Sequence, residues 1–472
     1  MINEMTVKRA TLINASGKYL KVILTVLVNA ILAHILTPFD FGVVAVITVF
    51  STFFATMSDM GLGPAIVQKK DLTRSDIDNL FTYSVYVALG LSVIFLLCAF
   101  PIAAFYKDSV YLKPTFLLTI SLFFNALNMV PNGMLNRDKK FVTIAVRTVV
   151  VYVVSAVVSI LLALHGWRFY ALVAQAILSS VLQFVWNYFS TRPRFVPRPS
   201  IESVNKVRTY SLYQFAFNVV NYFARNLDNL LTGKFMGEVN LGNYNKAYNL
   251  MLFPVSNLSG VVSPVLHPIL SDYQDDPEGI YRRYFRLVRF LWCLGIFVAA
   301  FAFLASEEII GILYGSQWEP CVACFRLLAI AIIPQMINAS AGAIFQALGN
   351  TRLLFLSTCV NTVVTLVAIC IGVFAGKSIE ALSLCVAISY VFHFLFAFWF
   401  LICRGFRFSA GRFLKGVVPE LIMTALMAAA VLLYPFHHEG LVASLAMKTA
   451  YILVIYAVMM MLSREYKLFK LK

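Results

Sequence analysis

Charged residues are scarce in this sequence. Asp, Glu, Lys and Arg make up 13% of its 472 residues, about half of their share in an average soluble protein. A chain with so little charge and 60% hydrophobic residues is neither an ordinary soluble enzyme nor a disordered protein. The net charge of +16, from 38 basic and 22 acidic residues, lies on too apolar a chain to indicate a nucleic-acid-binding protein.

The sequence also lacks the residue patterns that carry catalysis or metal binding. No paired carboxylates, Ser/His/Asp arrangement or His/Cys cluster stands out. The eight cysteines are scattered through mostly apolar segments, which indicates membrane packing rather than a disulfide framework. The run 372–378 resembles a phosphate loop, but it has three residues between its glycines where a nucleotide-binding loop has four. We therefore expect no enzyme activity and no cofactor.

Long apolar segments fill most of the chain. A helix that crosses a bilayer needs about 20 mainly apolar residues, and fourteen segments meet this requirement. They lie at 14–36, 42–57, 81–105, 114–134, 145–164, 167–188, 210–233, 243–266, 286–305, 323–347, 353–375, 379–402, 416–434 and 441–462. The sequence therefore predicts an all-α polytopic membrane protein with about fourteen transmembrane helices.

The basic residues between these segments predict the orientation. On one side of the membrane lie 29 of the 38 Lys and Arg residues, eight lie on the other side, and Arg225 lies inside a span. Because cytoplasmic loops carry the excess of Lys and Arg, both termini are expected in the cytoplasm.

An internal repeat with an offset of 200 residues divides the chain. The segment 37–42 (TPFDFG) follows the first span and the segment 237–242 (GEVNLG) follows the seventh. The predicted domains are a six-helix lobe (1–190), a basic proline-containing cytoplasmic linker (191–209), a second six-helix lobe (210–405), and two additional helices with a basic tail (406–472). The segments 37–42 and 237–242 are the two echoes of this repeat. Since six spans separate them, the two lobes are expected to have the same orientation and to be related by an axis along the membrane normal.

Two stripes of polar residues mark the first and seventh spans. In each stripe the spacing of 4, 3, 4 and 4 residues places the side chains on one helical face. The first stripe is Asn14, Lys18, Lys21, Thr25 and Asn29, and the second is Gln214, Asn218, Asn221, Arg225 and Asn229, with Asp228 beside it. Polar groups in contact with lipid cost several kcal/mol. The two helices are therefore expected to line a central polar cavity.

Local roles for the same residues remain open. Lys18 and Lys21 could extend to the cytoplasmic headgroups, and Arg225 could pair with Asp228, because residues three apart on a helix meet. Asp59, at the cytoplasmic end of the second span, fits a helix-end role as well as a coupling role. The neutral amides in other spans are expected to form interhelical hydrogen bonds, and a lone histidine such as His393 is more often structural.

Several segments together resemble a known family. They are 36–42, 58–70, 225–229, 241–248, 270–276 and 314–318. As a set they are similar to the Wzx-type polysaccharide transporters, the oligosaccharide flippases of the MOP exporter superfamily. The resemblance covers residues 12 to 320 in order, whereas the last two spans match only in hydropathy.

The resemblance implies a function. It implies two six-helix lobes with two further helices, and transfer of undecaprenyl-pyrophosphate-linked oligosaccharides across the inner membrane for O-antigen, capsule or exopolysaccharide assembly. The partners are then this lipid-linked substrate, membrane lipids, and a polysaccharide polymerase with its chain-length regulator. Related lipid II flippases use basic cavity residues on helices one and seven, which correspond by position to Lys18, Lys21 and Arg225.

Two other functions remain alternatives. A multidrug or small-molecule exporter of the same superfamily is expected to centre its cavity on a carboxylate and aromatic residues, and Asp228 is the only acid placed in the middle of a span. A polysaccharide polymerase typically needs a large periplasmic loop. No predicted outside connection exceeds about twenty residues, too few for a folded domain.

Overall fold

The described part of the protein is helical throughout, apart from connections. The computed structural model describes residues 4–59, 62–69, 71–200, 222, 226–259, 276–348, 350–435 and 440–469. These residues contain no β-strand and form many long apolar helices. The predicted all-α polytopic membrane class is confirmed.

The first of two compact units comprises Met1–Gly242. Its helices are α1 (Glu4–Ile35), α2 (Pro38–Asp59), α3 (Leu62–Gln68), α4 (Arg74–Tyr106), α5 (Leu112–Leu127), α6 (Met129–Arg137), α7 (Phe141–Leu164), α8 (Phe169–Thr191), α9 (helical over 226–236) and the start of α10 (Glu238–Pro254). A 3₁₀ turn, Ser109–Tyr111, precedes α5. Side chains of α2, α4, α5 and α8 form a large buried apolar cluster among the described residues of this unit.

The second unit comprises Asn243–Lys472. Beyond the remainder of α10 it contains α11 (Pro277–Leu304), α12 (Ser306–Leu313), α13 (Glu319–Ala329), α14 (Ile332–Ala347), α15 (Thr351–Cys370), α16 (Ile379–Trp399), α17 (Ala410–Gly416), α18 (Val418–Leu432) and α19 (Leu441–Leu462). A 3₁₀ helix, Glu465–Phe469, follows α19. The last two long helices, α18 and α19, both pack against α11.

Most predicted spans correspond to described helices. Within the described residues, nine helices are long and apolar enough to cross a membrane, and two bent helix pairs raise the number to eleven. The predicted first span lies within α1, whose apolar part, Tyr19–Ile35, is shorter than a full span. Parts of the seventh and eighth predicted spans lie outside the described residues. The count of fourteen therefore remains a prediction.

Three helix breaks lie within or at the start of predicted spans, although α5 and α6, on either side of one of them, still form a single span, Ser109–Arg137. The breaks fall between α5 and α6, between α13 and α14 with a bend of 56°, and between α17 and α18 with a bend of 53°. Each break lies just before a proline, respectively Pro131, Pro334 and Pro419. A proline has no N–H to donate and its ring clashes with the carbonyl four residues earlier, so the preceding turn cannot continue regularly.

The division by packing does not coincide with the predicted linker. The described part of that linker runs along the start of α4: the Arg194 N–H donates to Asp78 Oδ1 at 2.8 Å and the Val196 N–H to Thr82 Oγ1 at 2.9 Å. The packing boundary falls later, at Gly242. The repeat-based lobes 1–190 and 210–405 therefore remain a prediction.

The helix ends use basic residues where glycine is usual. Among the described residues, every non-glycine residue with a positive φ is Lys or Arg, with φ between 48° and 61°. They are Lys107, Lys139, Arg168, Arg192, Lys377, Arg407 and Arg464. This conformation costs an L-residue about 1–2 kcal/mol, while a cation near a helix C-terminus interacts favourably with the helix dipole.

A buried arginine connects three helices of the first unit. Arg147 on α7 is 5% exposed, and its Nη1 donates to Oδ1 of Asn187 at 2.6 Å and to Oδ1 of Asn132 at 3.1 Å. Asn187 Nδ2 in turn donates to Asn128 Oδ1 at 2.7 Å. The predicted interhelical role of Asn128 is thus observed. Among the described residues, no carboxylate pairs with Arg147; the two amide oxygens and, at 3.4 Å, the Thr148 hydroxyl accept its hydrogen bonds.

We expect Arg147→Leu to destabilise the protein by about 2–3 kcal/mol, because two buried amide oxygens would lose their donors. Thermal unfolding of the purified protein in detergent measures the loss. Arg198→Ala, which removes an exposed arginine of the same unit, is the control. Equal melting temperatures for Arg147→Leu and the wild type would contradict a stabilising role of the network.

Candidate functional site

The first polar stripe lies on one continuous helix, α1. The side chains of Asn14 and Lys18 lie outside the described residues, and Lys21 is exposed. Further along, Thr25 Oγ1 donates to the Lys21 carbonyl at 2.8 Å and Asn29 Nδ2 donates to the Thr25 carbonyl at 2.9 Å. Thr25 and Asn29 of the stripe are therefore hydrogen-bonded to backbone carbonyls of α1 itself. The ammonium group of Lys21 is exposed and available to an anion.

The second stripe is described only at its end. Gln214, Asn218, Asn221 and Arg225 lie outside the described residues, and so does the predicted pairing of Arg225 with Asp228. Asp228 and Asn229 are buried, at 4% and 9% exposure. The Asn229 N–H donates to Asp228 Oδ1 at 2.8 Å. The side chain of Asp59, the last residue of α2, also lies outside the described residues.

The repeated segment 37–42 is a capped helix start. Thr37 donates to the carboxylate of Asp40 from its backbone N–H at 3.0 Å and from its hydroxyl at 2.7 Å. Pro38 occupies the first turn of α2, where a missing N–H costs nothing. The Arg168 guanidinium lies 3.3 Å from the second carboxylate oxygen of Asp40, which is almost completely buried. The TPxD pattern thus fixes the turn between α1 and α2.

The segment around the second echo is anchored to helices of the first unit. The Tyr111 hydroxyl donates to the carboxylate of Glu238, and the Tyr106 hydroxyl donates to the Leu230 carbonyl at 3.3 Å. Lys234 donates to a backbone carbonyl of α4 and lies over the ring of Phe105, 4.5 Å from its centroid. These contacts hold α9 and the start of α10 against α4 and the 3₁₀ turn.

The two echoes contact each other through their glycines. A Cβ atom at Gly42 would lie 1.9 Å from the carbonyl oxygen of Glu238, and one at Gly242 would lie 2.0 Å from the carbonyl oxygen of Pro38. These approaches are far closer than a side chain allows, so glycine is required at both positions. The repeat noticed in the sequence is therefore a reciprocal backbone contact between the start of α2 and the start of α10.

Two other segments of the resemblance also meet, within the second unit. Lys246 on α10 is 7% exposed, and its ammonium nitrogen lies 5.0 Å from the ring centroid of Tyr314 and 5.6 Å from that of Trp318. A desolvated cation over aromatic faces is stabilised by about 2 kcal/mol. The pattern NKAY at 245–248 and the pattern YGSQW at 314–318 thus form one buried contact.

His393 has structural partners. Its Nε2 lies 2.8 Å from the Asn361 carbonyl and 2.8 Å from Thr365 Oγ1, both on α15. These hydrogen bonds join α16 to α15. They favour the structural role that the sequence predicts for a lone histidine.

Comparison with known proteins identifies the family. The family described as "Polysaccharide biosynthesis protein" matches residues 31–323, more than half of the chain. The chain belongs to this family. The matched range begins within α1 and includes both glycine echoes and both aromatic partners of Lys246.

Curated relatives are similar to this chain over about half to nine tenths of their length. The succinoglycan biosynthesis transport protein ExoT of Rhizobium meliloti is 25% identical, covering 92% of this chain and 88% of that protein. The lipopolysaccharide biosynthesis protein WzxC of Escherichia coli is 22% identical, covering 72% and 70% respectively. The probable flippase Agl15 of Haloferax volcanii is 24% identical over about half of each chain, 48% and 49%.

Solved structures show the same fold. The lipid II flippase MurJ in an inward closed conformation has a TM-score of 0.74, with 13% identity and coverage of 96% of this chain and 99% of that chain. An inward-facing MATE multidrug transporter of the MOP superfamily has a TM-score of 0.63, with 16% identity and coverage of 85% and 94%. This member of the polysaccharide biosynthesis family therefore has the fold of these transporters.

Sequence reasoning missed several buried basic residues. Arg147, Lys246 and Arg289 contribute to the loop count that predicts the orientation, yet each lies within a helix and contacts other helices. Their position in the helix could have identified Arg147 and Lys246 as internal residues, because each lies several residues after the helix begins. A basic residue at such a depth indicates an internal partner as much as a loop charge.

We expect Gly42→Ala and Gly242→Ala to open the contact between the two echoes, because each added Cβ would collide with a backbone carbonyl. Hydrogen–deuterium exchange of the purified protein should become faster at 38–42 and 237–242. Gly90→Ala is the matched control, since a Cβ there meets no atom within 4 Å. Unchanged exchange in both variants would exclude this contact from the dominant state in solution.

Proposed function

We propose that this protein is a flippase that moves an undecaprenyl-pyrophosphate-linked oligosaccharide from the cytoplasmic to the periplasmic leaflet of the bacterial inner membrane. The observation that carries the proposal is the family match at 31–323, together with the whole-chain likeness to a lipid II flippase. The transported unit would serve assembly of O-antigen, capsule or exopolysaccharide. A polysaccharide polymerase and its chain-length regulator would act after this step.

The headgroup would be held by the cations of the two stripes. Arg225, Lys18 and Lys21 would bind the pyrophosphate, because a doubly charged headgroup in a low-dielectric core needs cations to replace its hydration. The amides would donate to and accept from sugar hydroxyls; they are Asn14, Asn29, Gln214, Asn218, Asn221 and Asn229. The exposure of Lys21 on α1 supports its share in this role.

Transport would proceed by alternating access. In this proposal the reciprocal glycine contact closes the side opposite to the termini, and its separation opens that side. The basic residue distribution places both termini in the cytoplasm, so the closed side would be periplasmic. Asp228 and Asp59 are the candidate carboxylates for coupling to an ion gradient. The lipid tail would remain in the bilayer beside the cavity.

We expect Arg225→Ala to abolish surface polysaccharide while the protein remains in the membrane, because the pyrophosphate would lose its mid-span cation. Lipid-linked units should accumulate in the inner leaflet, measurable by extraction and by their inaccessibility from the periplasm. Arg225→Lys should retain part of the export, since the charge persists. Arg326→Ala, which removes an arginine paired with Glu307 at 2.9 Å, is the control and should export normally.

Other outcomes would point to the alternative functions. Wild-type export by Arg225→Ala would remove this residue from the proposed site. A changed drug susceptibility of a deletion strain with normal polysaccharide would favour a multidrug exporter. Single repeat units at the cell surface, rather than units held inside, would favour a polymerase.

A further inference from the structure

One arginine of the second unit binds two carboxylates from different helices. Arg289 on α11 donates from Nε to Glu420 Oε1 at 2.5 Å and from Nη2 to Glu465 Oε1. Glu420 lies in the first turn of α18 and Glu465 in the 3₁₀ helix after α19. The side-chain exposures are 24% for Arg289, 0% for Glu420 and 7% for Glu465. The cluster thus fastens both last helices to α11.

The charges in this cluster do not balance. Two carboxylates face one guanidinium, which leaves one negative charge without a counterion in a buried place. The second oxygen of Glu420, Oε2, is buried and has no hydrogen-bond partner among the described atoms. A buried acceptor without a donor is costly, and a buried uncompensated charge is more costly still. The arrangement therefore requires one more positive charge.

The other groups that face the cluster do not supply that charge. Cys293, one turn after Arg289 on α11, has its sulfur within 4.8 Å of an oxygen of each carboxylate. Tyr456 on α19 donates its hydroxyl proton to the Cys293 carbonyl at 3.0 Å, away from the carboxylates. The indole of Trp292 donates to Thr424. Among the described residues, Arg289 is the cation that contacts the two carboxylates. The other basic residues of α11, α18, α19 and the 3₁₀ helix are exposed (Arg282, Arg283, Arg286 and Lys467) or pair with Glu308 (Lys448).

The missing charge has the chemistry of a proton. A divalent metal ion would leave a net positive charge beside a guanidinium, and hard cations take about six or more oxygen ligands. Here one oxygen of each carboxylate is already occupied by Arg289. A proton needs only one carboxylate oxygen and converts it into a hydrogen-bond donor. It would neutralise the excess charge and satisfy the unpartnered oxygen at once.

We propose that Glu420 and Glu465 form a proton-binding site in which the two carboxylates share one proton taken from water. One carboxylate becomes a neutral carboxylic acid, and Arg289 balances the remaining negative charge. Proton occupancy thereby controls how firmly α18, α19 and the C-terminal 3₁₀ helix dock on α11. The proposal is independent of the transported substrate.

The electrostatics of Glu465 agree with this assignment. Glu465 lies beyond the end of α19, and burial, with a further contribution from the charge of Glu420, raises its pKa against the opposing effect of Arg289. A carboxyl whose pKa is higher in the folded than in the unfolded protein stabilises the fold at low pH. That stabilisation is lost as the pH rises through the folded-state pKa.

The test uses the full-length protein in detergent. We expect the wild-type melting temperature to fall as the pH rises from the unfolded-state pKa of glutamate through that of the folded site, with one proton released. Glu420→Gln and Glu465→Gln should each abolish this component, because either change leaves one carboxylate with one arginine. Infrared difference spectra should show a protonated-carboxyl band in the wild type that both variants lose.

The matched control is a buried carboxylate whose charge is balanced. Glu308 on α12 pairs with Lys448 at 2.6 Å and is 5% exposed, so Glu308→Gln should keep the pH-dependent component and the infrared band. Arg289→Gln should move the proton release to higher pH, since no cation would remain. Retention of the band in both glutamate variants would overturn the proposal. Stabilisation by sodium or zinc ions at fixed pH, lost in the same variants, would overturn it in favour of a metal site.

Discussion

The structure depends on one constraint: a lipid bilayer offers no hydrogen bonds, so the chain must solvate its own buried polar groups. In the described residues this need determines which helices meet. Arg147 donates to two asparagines on neighbouring helices, one of which donates to a third, and His393 joins α16 to α15. Lys246 uses aromatic faces, and Arg289 uses carboxylates. Apolar packing then fills the space between these fixed contacts.

Much of the fold was predictable because hydrophobic length is read directly from the sequence. Most of the apolar segments correspond to described helices, and the repeat with an offset of 200 residues includes the two glycines at the contact between α2 and α10. The broken spans were less predictable, since a window average hides a proline. The buried basic residues were misread as loop charges, because a charge count does not distinguish a cation in water from one held by amides or rings.

The candidate site was less accessible to sequence reasoning than the fold. The residues of the first stripe lie on one uninterrupted helix, α1. Lys21 is exposed there, whereas Asp228 and Asn229 at the end of the second stripe are buried. Residues of the two corresponding stripes thus differ in exposure, because neighbouring helices decide what each side chain meets. A lipid II flippase and a multidrug transporter share this fold. Their different substrates must therefore be selected by individual side chains rather than by the fold.

Three of the eight basic residues on the face opposite to the predicted cytoplasmic one have a common property. Arg168 contacts Asp40, Arg326 contacts Glu307, and Lys448 contacts Glu308. Such residues run against the orientation signal, so selection has a reason to remove them unless they hold a contact. Each of these cations is paired with a carboxylate that is expected on the same face of the membrane. Among relatives, we therefore expect both members of a pair to be present or both to be absent. The two opposite charges cancel, so the pair inserts into the membrane as a neutral unit.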